Sequence, residues 1–432
     1  MTVIYLLLAL CFGLYAWQDL RNAVLILIVL LPTYLLRIDF LGIPTTLLEL
    51  MLLLAIVIGF IRLSSIYSSL VYPSSVGAGF SLREWINIRF INLRRLKPAA
   101  TIGFGLGICL VLVSATIGIF ISPDKLAALG VYKAYFLEPL AFGLLLFVLL
   151  SQKKLTQEKL LSALGLSAIL ISIVAIVQWF IPLGIPIPWD IERRVTSVFD
   201  FPNAVGLYLA PIVTLAWIKS KENYRWFVVS ILGSIAIVLA QSEAAIVAVI
   251  VSVFIFLLTQ KQTRKLALIL GILTVLLAGV SPFRSMIVEK LTLQDYSGQV
   301  RLSQWNEAWN MLRDRPVFGA GLSGYTTALA PYHQAKQYEI FQYPHNLFLN
   351  IWTELGLLGL VGFGILVVTI LRRLKPAATI KGNFDRMVFF FPLLTMFIHG
   401  LVDVPFFKND LSVLTVIFMI LFFYATKQNK SV

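Results

Sequence analysis

Histidine is scarce in this chain, and one of its three copies stands at the start of a long apolar segment, in the stretch YPHNLFLNIWTELGLLG. With an ordinary pKa of about 6.5, the neutral imidazole of His345 can accept a proton near neutral pH. Asn346 follows it, and an asparagine there can cap a helix or orient the imidazole. The pattern predicts a general base at the mouth of a helix. The alternative is a histidine that only hydrogen-bonds a neighbouring loop.

An arginine in the preceding loop could bind an anion. Arg301 lies in the stretch SGQVRLSQWNEAWNMLRDRP, one helical turn before Trp305 and on the same face. Apolar residues recur in this stretch with helical spacing, which predicts a helix that lies along a bilayer surface. Arginine can hold phosphate through two parallel hydrogen bonds, but in such a helix it can also simply extend to the lipid headgroups. Both readings stay open.

A second group of residues that could hold phosphate lies earlier in the chain. Arg193 and Arg194 stand together in the stretch WDIERRVTSVFDFPNAVGLYL. The Pro202-Asn203 pair further on is typical of a turn that leads into a helix. Because arginine is the preferred side chain for a bidentate grip on phosphate, we expect these arginines to contact either a lipid phosphate or ordinary headgroups.

Acidic residues and a second histidine lie within apolar segments or at their edges, where a charge is costly and usually functional. Glu49, Glu138, Glu243 and Asp403 are of this kind, and together they predict a polar cavity that opens outward. His399 precedes Asp403 by four residues, which predicts that the two share one helix face.

The residue types and their spacing thus define a candidate site. We predict catalytic roles for His345 and Arg301. Glu354 is placed about half a turn from His345 around the helix axis, so we do not expect those two side chains to pair. The residues predicted to bind substrate are Arg193, Arg194, Asn203, Glu243, Trp305, Asn346, Glu354, His399 and Asp403.

The same residues give little reason to expect a metal or another cofactor. Asp190 and Glu192 resemble an acidic metal-binding pair, but their loop adds no further ligand cluster. The three histidines are far apart in sequence and do not form a zinc motif. Cys11 and Cys109 lie in apolar segments, where core packing is expected rather than a disulfide. We predict no metal and no cofactor.

The elements that must position these side chains are membrane-spanning helices. Of the 432 residues, 59% are hydrophobic and 13% charged, and the mean hydropathy is +0.89, which excludes an ordinary soluble protein. The net charge of +14 is confined to short gaps between apolar runs, so no nucleic-acid partner is expected. The first apolar run lacks the features of a cleavable signal, so we expect it to be retained. The apolar runs predict helices near residues 2–17, 22–37, 44–61, 101–121, 130–150, 159–180, 204–218, 226–242, 244–259, 266–280, 345–371, 386–402 and 411–426.

Basic residues predict how these helices are oriented. Most of the 35 Lys and Arg residues fall in one alternating set of gaps, which the positive-inside rule assigns to the cytoplasm. We therefore expect an all-α polytopic protein of about 12 or 13 transmembrane helices in the inner (cytoplasmic) membrane. Residues 1–180 form an N-terminal helical region with a basic cytoplasmic loop at 62–100. Residues 181–426 include the outward loops 181–203 and 281–344, and residues 427–432 form a cytoplasmic tail.

One exact repeat stands apart from the site. The ten residues LRRLKPAATI occur at 93–102 and again at 371–380, in two loops assigned to the cytoplasm. A basic patch for anionic lipid is one reading, and a mobile sequence element in tolerant loops is the other.

Several stretches resemble a known family. RLSQWNEAWNMLRDRPVFGAGLSGY and HNLFLNIWTELGLLGLVGFG look like the shared domain of O-antigen ligases, O-antigen polymerases and related protein O-oligosaccharyltransferases. RRVTSVFDFPNAVGLYLAP and VDVPFFKNDLSVLT resemble that family's pattern on either side of the domain. The resemblance covers about residues 190–420, and it rests on the combination of motifs rather than on any single one.

The resemblance implies a fold similar to C-type glycosyltransferases. It also implies transfer of a glycan from undecaprenyl diphosphate to a glycan, lipid A core or protein hydroxyl. His345 then matches the histidine that activates the acceptor, and Arg301 matches an arginine that engages the lipid diphosphate. The chain departs from the family where Ser242-Glu243-Ala244 replaces a Ser-Arg-Gly pattern. That departure puts the second cation at the diphosphate in doubt, and Arg193 or Arg194 could substitute for it.

Two other classes of protein fit part of the sequence. A membrane transporter, for a small solute such as bicarbonate or for a lipid-linked sugar, would also place polar groups within its spans. The absence of a repeated set of helices and the long loop rich in aromatic and basic residues favour the transferase. A scaffold without activity would leave the buried acids and His345 unexplained.

Overall fold

The described chain is almost entirely helical. The computed structural model describes residues 2–40, 43–71, 98–279, 283–374 and 380–428. In these ranges the prediction of an all-α polytopic membrane protein is confirmed. The α-helices are α1 (Thr2–Gln18), α2 (Leu20–Val29), α3 (Leu47–Val71), α4 (Pro98–Ile121), α5 (Lys125–Tyr132), α6 (Glu138–Ser151), α7 (Gln157–Phe180), α8 (Pro202–Lys219), α9 (Tyr224–Leu239), α10 (Glu243–Thr259), α11 (Arg264–Ala278), α12 (Phe283–Leu291), α13 (Tyr296–Asp314), α14 (Tyr325–Leu329), α15 (Leu347–Arg373), α16 (Ile380–His399) and α17 (Asn409–Gln428).

Helix length and composition suit a bilayer. Among the described residues, 4 helical segments are long and apolar enough to cross a membrane: Ile102–Ile121, Lys125–Ser151, Gln157–Phe180 and Leu347–Arg373. The second of these joins α5 to α6 through a π-helical turn, Lys133–Leu137. Shorter apolar helices lie beside them, and the number of spans stays a prediction. Most of the basic loop 62–100, half of each copy of the repeat and the end of the tail lie outside the described residues.

The helix predicted at 22–37 is too long. Helix α2 ends at Val29, and a 3₁₀ turn, Leu31–Leu35, follows with Pro32 in its first turn. Proline lacks the N–H that would continue an α-helix and instead starts a new turn. Strands β1 (Arg37–Phe40) and β2 (Ile43–Thr46) then pair antiparallel, with Arg37 opposite Thr46. The hairpin satisfies the backbone before α3 begins, which moves the predicted start of that helix from 44 to Leu47.

Close packing of α4 and α15 sets the position of the helix that follows His345. A Cβ atom on Gly362 would lie 3.1 Å from the carbonyl oxygen of Gly107 and 2.9 Å from the Cβ of Leu110. Glycine at both positions lets the two backbones approach, as small residues do between membrane helices.

Helix α15 is broken at Gly356, and the break fastens it to the loop after α13. Gly356 has a φ of +67°, and a Cβ there would lie 2.3 Å from the carbonyl oxygen of Val317. The freed N–H of Leu357 donates to that carbonyl at 2.9 Å, and the N–H of Ala320 donates to the carbonyl of Thr353 at 2.7 Å. Because backbone groups at membrane depth need partners within the protein, this loop completes the interrupted helix.

Helix α13 buries only part of the apolar face that its sequence predicts, and it also buries polar side chains. Ala308 and Leu312 are buried, as are Gln304 and Glu307, whereas Trp309 is 48% exposed. The ring of Trp309 meets that of Trp352 on α15, with centroids 5.7 Å apart. The helix therefore contacts the rest of the protein on one side, and its place along a bilayer surface stays a prediction.

A carboxylate on α13 holds the return loop. Glu307 Oε1 accepts hydrogen bonds from the N–H groups of Gln334 at 2.9 Å and Ala335 at 3.0 Å, and Oε2 lies 3.0 Å from Nδ1 of His333. Burial by itself raises the pKa of the Glu307 carboxyl, but these hydrogen bonds outweigh burial and lower the pKa below its ordinary value. The ionised form of Glu307 therefore stabilises the loop.

We expect Glu307→Gln to loosen this loop, because hydrogen bonds to a charged acceptor contribute about 1.5–3 kcal/mol. Hydrogen exchange at neutral pH should speed up at the amides of Gln334 and Ala335, by roughly 10-fold or more. In the wild type the protection should be lost as pH falls through the lowered pKa of Glu307. The exposed Glu339→Gln variant is the matched control, and unchanged exchange in Glu307→Gln would contradict the assignment.

Candidate functional site

Two residues before α15 begins, the backbone is strained, and contacts of the neighbouring residues hold it in place. His345 has a φ of +46°, in the left-handed region that side chains other than glycine rarely adopt. Asn346 is the N-cap of α15, and its Oδ1 accepts from the N–H groups of Phe348 at 3.0 Å and Leu349 at 3.1 Å. Its Nδ2 donates to the carbonyl of Leu401 at 2.9 Å. The start of α15 is thereby tied to the turn after α16.

The imidazole of His345 meets a buried carboxylate from that turn. Nδ1 of His345 lies 3.3 Å from Oδ1 of Asp403, whose side chain is 3% exposed. An ionised carboxylate can only accept hydrogen bonds, so Nδ1 is the donor and Nε2 keeps the lone pair. The rings of Phe341 and Tyr343 pack against the imidazole, with centroids 5.2 and 5.0 Å away. The pair has the arrangement of a general base and its orienting carboxylate.

The charge state of Asp403 follows from its contacts. Burial alone raises the pKa of its carboxyl, but the hydrogen bond from His345 lowers it, as does the positive charge of the imidazole whenever that ring is protonated, and the N–H of Val404 adds a bond at 2.8 Å. The net pKa lies below the ordinary value, so Asp403 is ionised at neutral pH.

The expectation that His399 and Asp403 share a helix face is wrong. Helix α16 ends at His399, and Asp403 lies in the turn that follows. Gly400 ends the helix there, and its carbonyl accepts from the N–H of Leu347 at 2.7 Å. Both side chains are nonetheless buried. The carbonyls of the two residues that follow the helix, Gly400 and Leu401, bond to Leu347 and Asn346 at the start of α15.

Helix α13 brings its arginine and tryptophan to the same place. Nε of Arg301 donates to the carbonyl of Val402 at 3.1 Å, and Nη1 donates to Oγ of Ser297 at 2.8 Å. Nε1 of Trp305 donates to the carbonyl of Pro344 at 2.8 Å. One helix therefore contacts the residues just before His345 and just before Asp403. No other hydrogen bond within the described residues engages the guanidinium of Arg301, which leaves its remaining donors open close to the turn that carries Asp403.

The two arginines before α8 differ in their surroundings. Arg194 donates from Nε to the carbonyl of Ala240 and from Nη2 to Oδ1 of Asn203, both at 3.2 Å, and its guanidinium lies 5.0 Å from the ring centroid of Trp189. Arg193 is exposed and lies over the ring of Trp179 at 5.0 Å. Arg194 thus stands beside the α9–α10 hairpin, whereas Arg193 faces away from these contacts.

The four acids that predicted one polar cavity do not form one group. Glu243 is 64% exposed, and its carboxylate lies 2.9 Å from Nζ of Lys290. Glu49 instead binds Lys133 at 2.5 Å and accepts from Asn409 at 2.9 Å, with Glu138 buried 3.9 Å from the same lysine. Asp403 belongs to the His345 pair. Helix α10 begins at Glu243, so this side chain lies at the helix N-terminus and extends outside the bundle.

Glu354 has a structural contact of its own. Its Oε2 accepts from the N–H of Ser323 at 2.6 Å, in the glycine-rich loop that completes the break in α15. The contact holds that loop, and no described hydrogen bond joins Glu354 to His345.

An apolar cavity of about 200 Å³ adjoins the turn that carries Asp403. It lies between α4, α6, α15, α16 and α17 and is almost wholly hydrophobic. Phe406 and Phe407, from the same turn as Asp403, form part of its wall. Other lining residues include Tyr135, Ile351, Phe363 and Val367.

Among the described residues, no group of three or more His, Cys, Asp and Glu side chains is placed to hold a metal ion.

Sequence reasoning singled out most of these residues but not their pairing. Asp403 was joined to His399 by spacing, whereas its partner is His345, which is distant in sequence. The sequence did contain a signal for this pairing. The predicted helices place both residues on the same side of the membrane, with His345 at the start of one late apolar segment and Asp403 just after the end of another.

Comparison with known proteins gives a family model that matches part of the chain. The family model for the O-antigen ligase matches residues 228–364. That range contains Arg301, Trp305, His345 and Asn346, and the resemblance to the O-antigen ligase and polymerase family is confirmed. No curated protein matches the chain. The match supports glycan transfer of the ligase or polymerase type within a membrane.

We expect the neutral ring of His345 to carry its proton on Nδ1, because Asp403 accepts there. Protein labelled with ¹⁵N-histidine should show this tautomer by NMR, and His345→Gln assigns the signal among only three histidines. Asp403→Asn should remove the preference and leave the signals of His333 unchanged. An Nε2–H tautomer in the wild type would contradict the pairing.

Proposed function

We propose that this protein transfers or polymerises a glycan from undecaprenyl diphosphate onto an acceptor hydroxyl at the outer face of the inner membrane. The observation that supports it best is the His345–Asp403 pair beside Arg301, at the end of an apolar helix. A base and a cation at the end of a span suit a reaction between a membrane lipid and an acceptor at the surface. All the residues proposed to act lie in the region 181–426.

His345 supplies the base in this proposal. Its Nε2 takes the proton of the acceptor hydroxyl as the oxygen attacks the anomeric carbon. Asp403 holds the ring and stabilises the imidazolium that forms. The new bond joins the acceptor oxygen to the sugar, and attack opposite the leaving group inverts the anomeric centre.

Arg301 acts on the leaving group. As the bond from the anomeric carbon to the diphosphate breaks, the electron pair goes to the phosphate oxygen, and the guanidinium neutralises the developing charge. Removal of such an interaction typically costs about 3 kcal/mol, or roughly 100-fold in rate. No step in this scheme needs a metal ion.

The apolar cavity next to Phe406 and Phe407 suits the polyprenyl chain of the donor. Because the prenyl chain of a membrane lipid already lies in hydrocarbon, the cavity would hold it by close packing of isoprenoid units against side chains rather than by removal of apolar surface from water. A wall made of aromatic and aliphatic side chains offers such packing directly beside the turn that bears Asp403.

A transporter is the second candidate. The ion pair between Glu49 and Lys133, with Glu138 next to it in an apolar helix, is the observation that favours it. Those residues are separate from the His345–Asp403 pair. A transporter needs no general base, so a transfer assay separates the two functions.

We expect purified protein to transfer glycan from a synthetic undecaprenyl-diphosphate donor to one of three acceptors: lipid A core, a second lipid-linked glycan or a peptide hydroxyl. His345→Ala and Arg301→Ala should each lose about 100-fold or more in kcat/KM. Arg313→Ala, on an exposed face of α13, should keep wild-type activity.

The assay is run with and without EDTA. Activity that resists EDTA supports a metal-independent reaction. Full activity in His345→Ala, or no turnover by folded wild-type protein with any of the acceptors, would remove the proposed mechanism and favour the transporter.

We expect Val367→Trp to fill part of the apolar cavity and to raise the KM for a long-chain donor by about 10-fold, because the indole would occupy space that the prenyl chain packs into, and a lost packing energy of about 1.4 kcal/mol corresponds to that factor. A donor with a short prenyl chain should be affected less. Val368→Trp is the control, since Val368 is 45% exposed on another face of α15. Equal effects on long and short donors would place the lipid chain elsewhere.

A further inference from the structure

A lysine near the site holds its charge without a bonding partner. Nζ of Lys408 lies 3.7 Å from the ring centroid of Phe201. Within the described ranges, no hydrogen bond or ion pair reaches this ammonium group. An ammonium group has three N–H donors, and leaving them unpaired in a half-buried position is unfavourable. A ligand with acceptor oxygens would complete this site.

Three other cations of the described bundle already have acceptor partners. Lys133 binds Glu49, and Lys219 binds Glu222 at 2.5 Å. Arg194 is held by Ala240 and Asn203. Lys408 differs because its closest described partner is an aromatic ring, which leaves the N–H donors open to a ligand.

The electrostatic surroundings keep Lys408 cationic without binding it directly. Burial lowers the pKa of its ammonium below the ordinary value, and the carboxylates of Asp410, Asp403 and Asp200 oppose that shift. These acids come from three places: the start of α17, the turn that carries the His345 partner, and the residue before Phe201. An anion that displaces water from Lys408 would therefore need more than one positive group to hold it.

A second positive element, the N-terminus of α8, begins at Phe201 itself. Phe201 is the N-cap of α8, with Pro202 in the first turn and no side chain capping the helix. The N-terminus of an 18-residue helix carries a partial positive charge. Arg194 reaches the same helix start through Asn203. Lys408 is thus placed between this helix end and the turn that bears Asp403.

We propose that Lys408 binds the diphosphate of the lipid donor and serves as the second cation that this chain lacks at Glu243. The assignment rests on the proposed function. In the reaction the electron pair of the broken C–O bond moves to a diphosphate oxygen, and the Lys408 ammonium neutralises that charge together with Arg301. Lysine does this as a point charge, without the bidentate geometry of arginine. The neighbouring Phe406 and Phe407 direct the attached lipid chain into the apolar cavity.

The test compares wild type, Lys408→Gln and Lys408→Arg in equilibrium binding of undecaprenyl diphosphate and of undecaprenyl monophosphate. Lys408→Gln should weaken diphosphate binding by about 10- to 100-fold, the usual effect of losing a charged hydrogen-bond donor. Monophosphate binding should weaken less, and Lys408→Arg should restore part of the diphosphate affinity. Lys125→Gln, a change at an exposed lysine, is the matched control.

Kinetics add a readout that a merely structural role would not move. In the transfer assay, Lys408→Gln should raise the KM for the donor and leave the KM for the acceptor unchanged. Wild-type affinity and donor KM in folded Lys408→Gln would overturn the assignment while transfer by the wild type still stands. Wild-type protein that neither binds the diphosphate nor transfers glycan would overturn the proposed function itself.

A chemical-protection experiment on the wild-type protein tests the assignment of Lys408 without any substitution. Undecaprenyl diphosphate should protect Lys408 from acetylation by an amine-reactive reagent, measured by mass spectrometry against Lys125 as the reference. Equal labelling of Lys408 with and without the lipid, at concentrations that saturate binding, would overturn the assignment even if Lys408→Gln failed to fold.

Discussion

Inside a bilayer, a polar group that leaves water must find its partner within the protein. The break in α15 shows how far this constraint reaches. Gly356 interrupts the helix, and the loop after α13 supplies the carbonyl of Val317 to the freed N–H of Leu357. The same loop is held by the carboxylate of Glu354 through Ser323. Helix α13 and the start of α15 are thereby joined as one unit, which sets where Arg301 can stand relative to His345.

The turn between α16 and α17 depends on the same rule. Its carbonyls at Gly400, Leu401 and Val402 bond to Leu347, Asn346 and Arg301 in that order. Three elements distant in sequence thus meet through a single short turn. Asp403, at the end of this series, reaches His345 because its neighbours are already fixed. The preorganised pair is the kind of arrangement in which a base and its orienting carboxylate need little rearrangement during reaction.

The contacts of Glu243 show how this chain accommodates a glutamate where the family resemblance implies an arginine. Glu243 is exposed and binds Lys290, so its negative charge is kept away from the interior of the bundle. Arg194 stands beside the same hairpin, although its hydrogen bonds to Ala240 and Asn203 occupy much of its guanidinium. Lys408 lies over Phe201, the N-cap of α8, and within the described part of the chain no hydrogen bond or ion pair reaches its ammonium group. The positive charge at the site can therefore come from residues at other positions in the chain.

Composition and periodicity alone determined the class of fold and the approximate position of nearly every helix, because burial of apolar surface follows from local sequence. Residue type and motif also singled out His345, Arg301, Asn346 and Asp403. What only the tertiary structure decided is which of these side chains meet. The spacing of His399 and Asp403 predicted a shared helix face, yet the helix ends between them, and the carbonyls of the turn that follows bond to the start of α15. Pairing across 58 positions, the separation of Glu243 from the other acids and the open ammonium of Lys408 depend on contacts between distant elements, and local sequence carries no record of those distances.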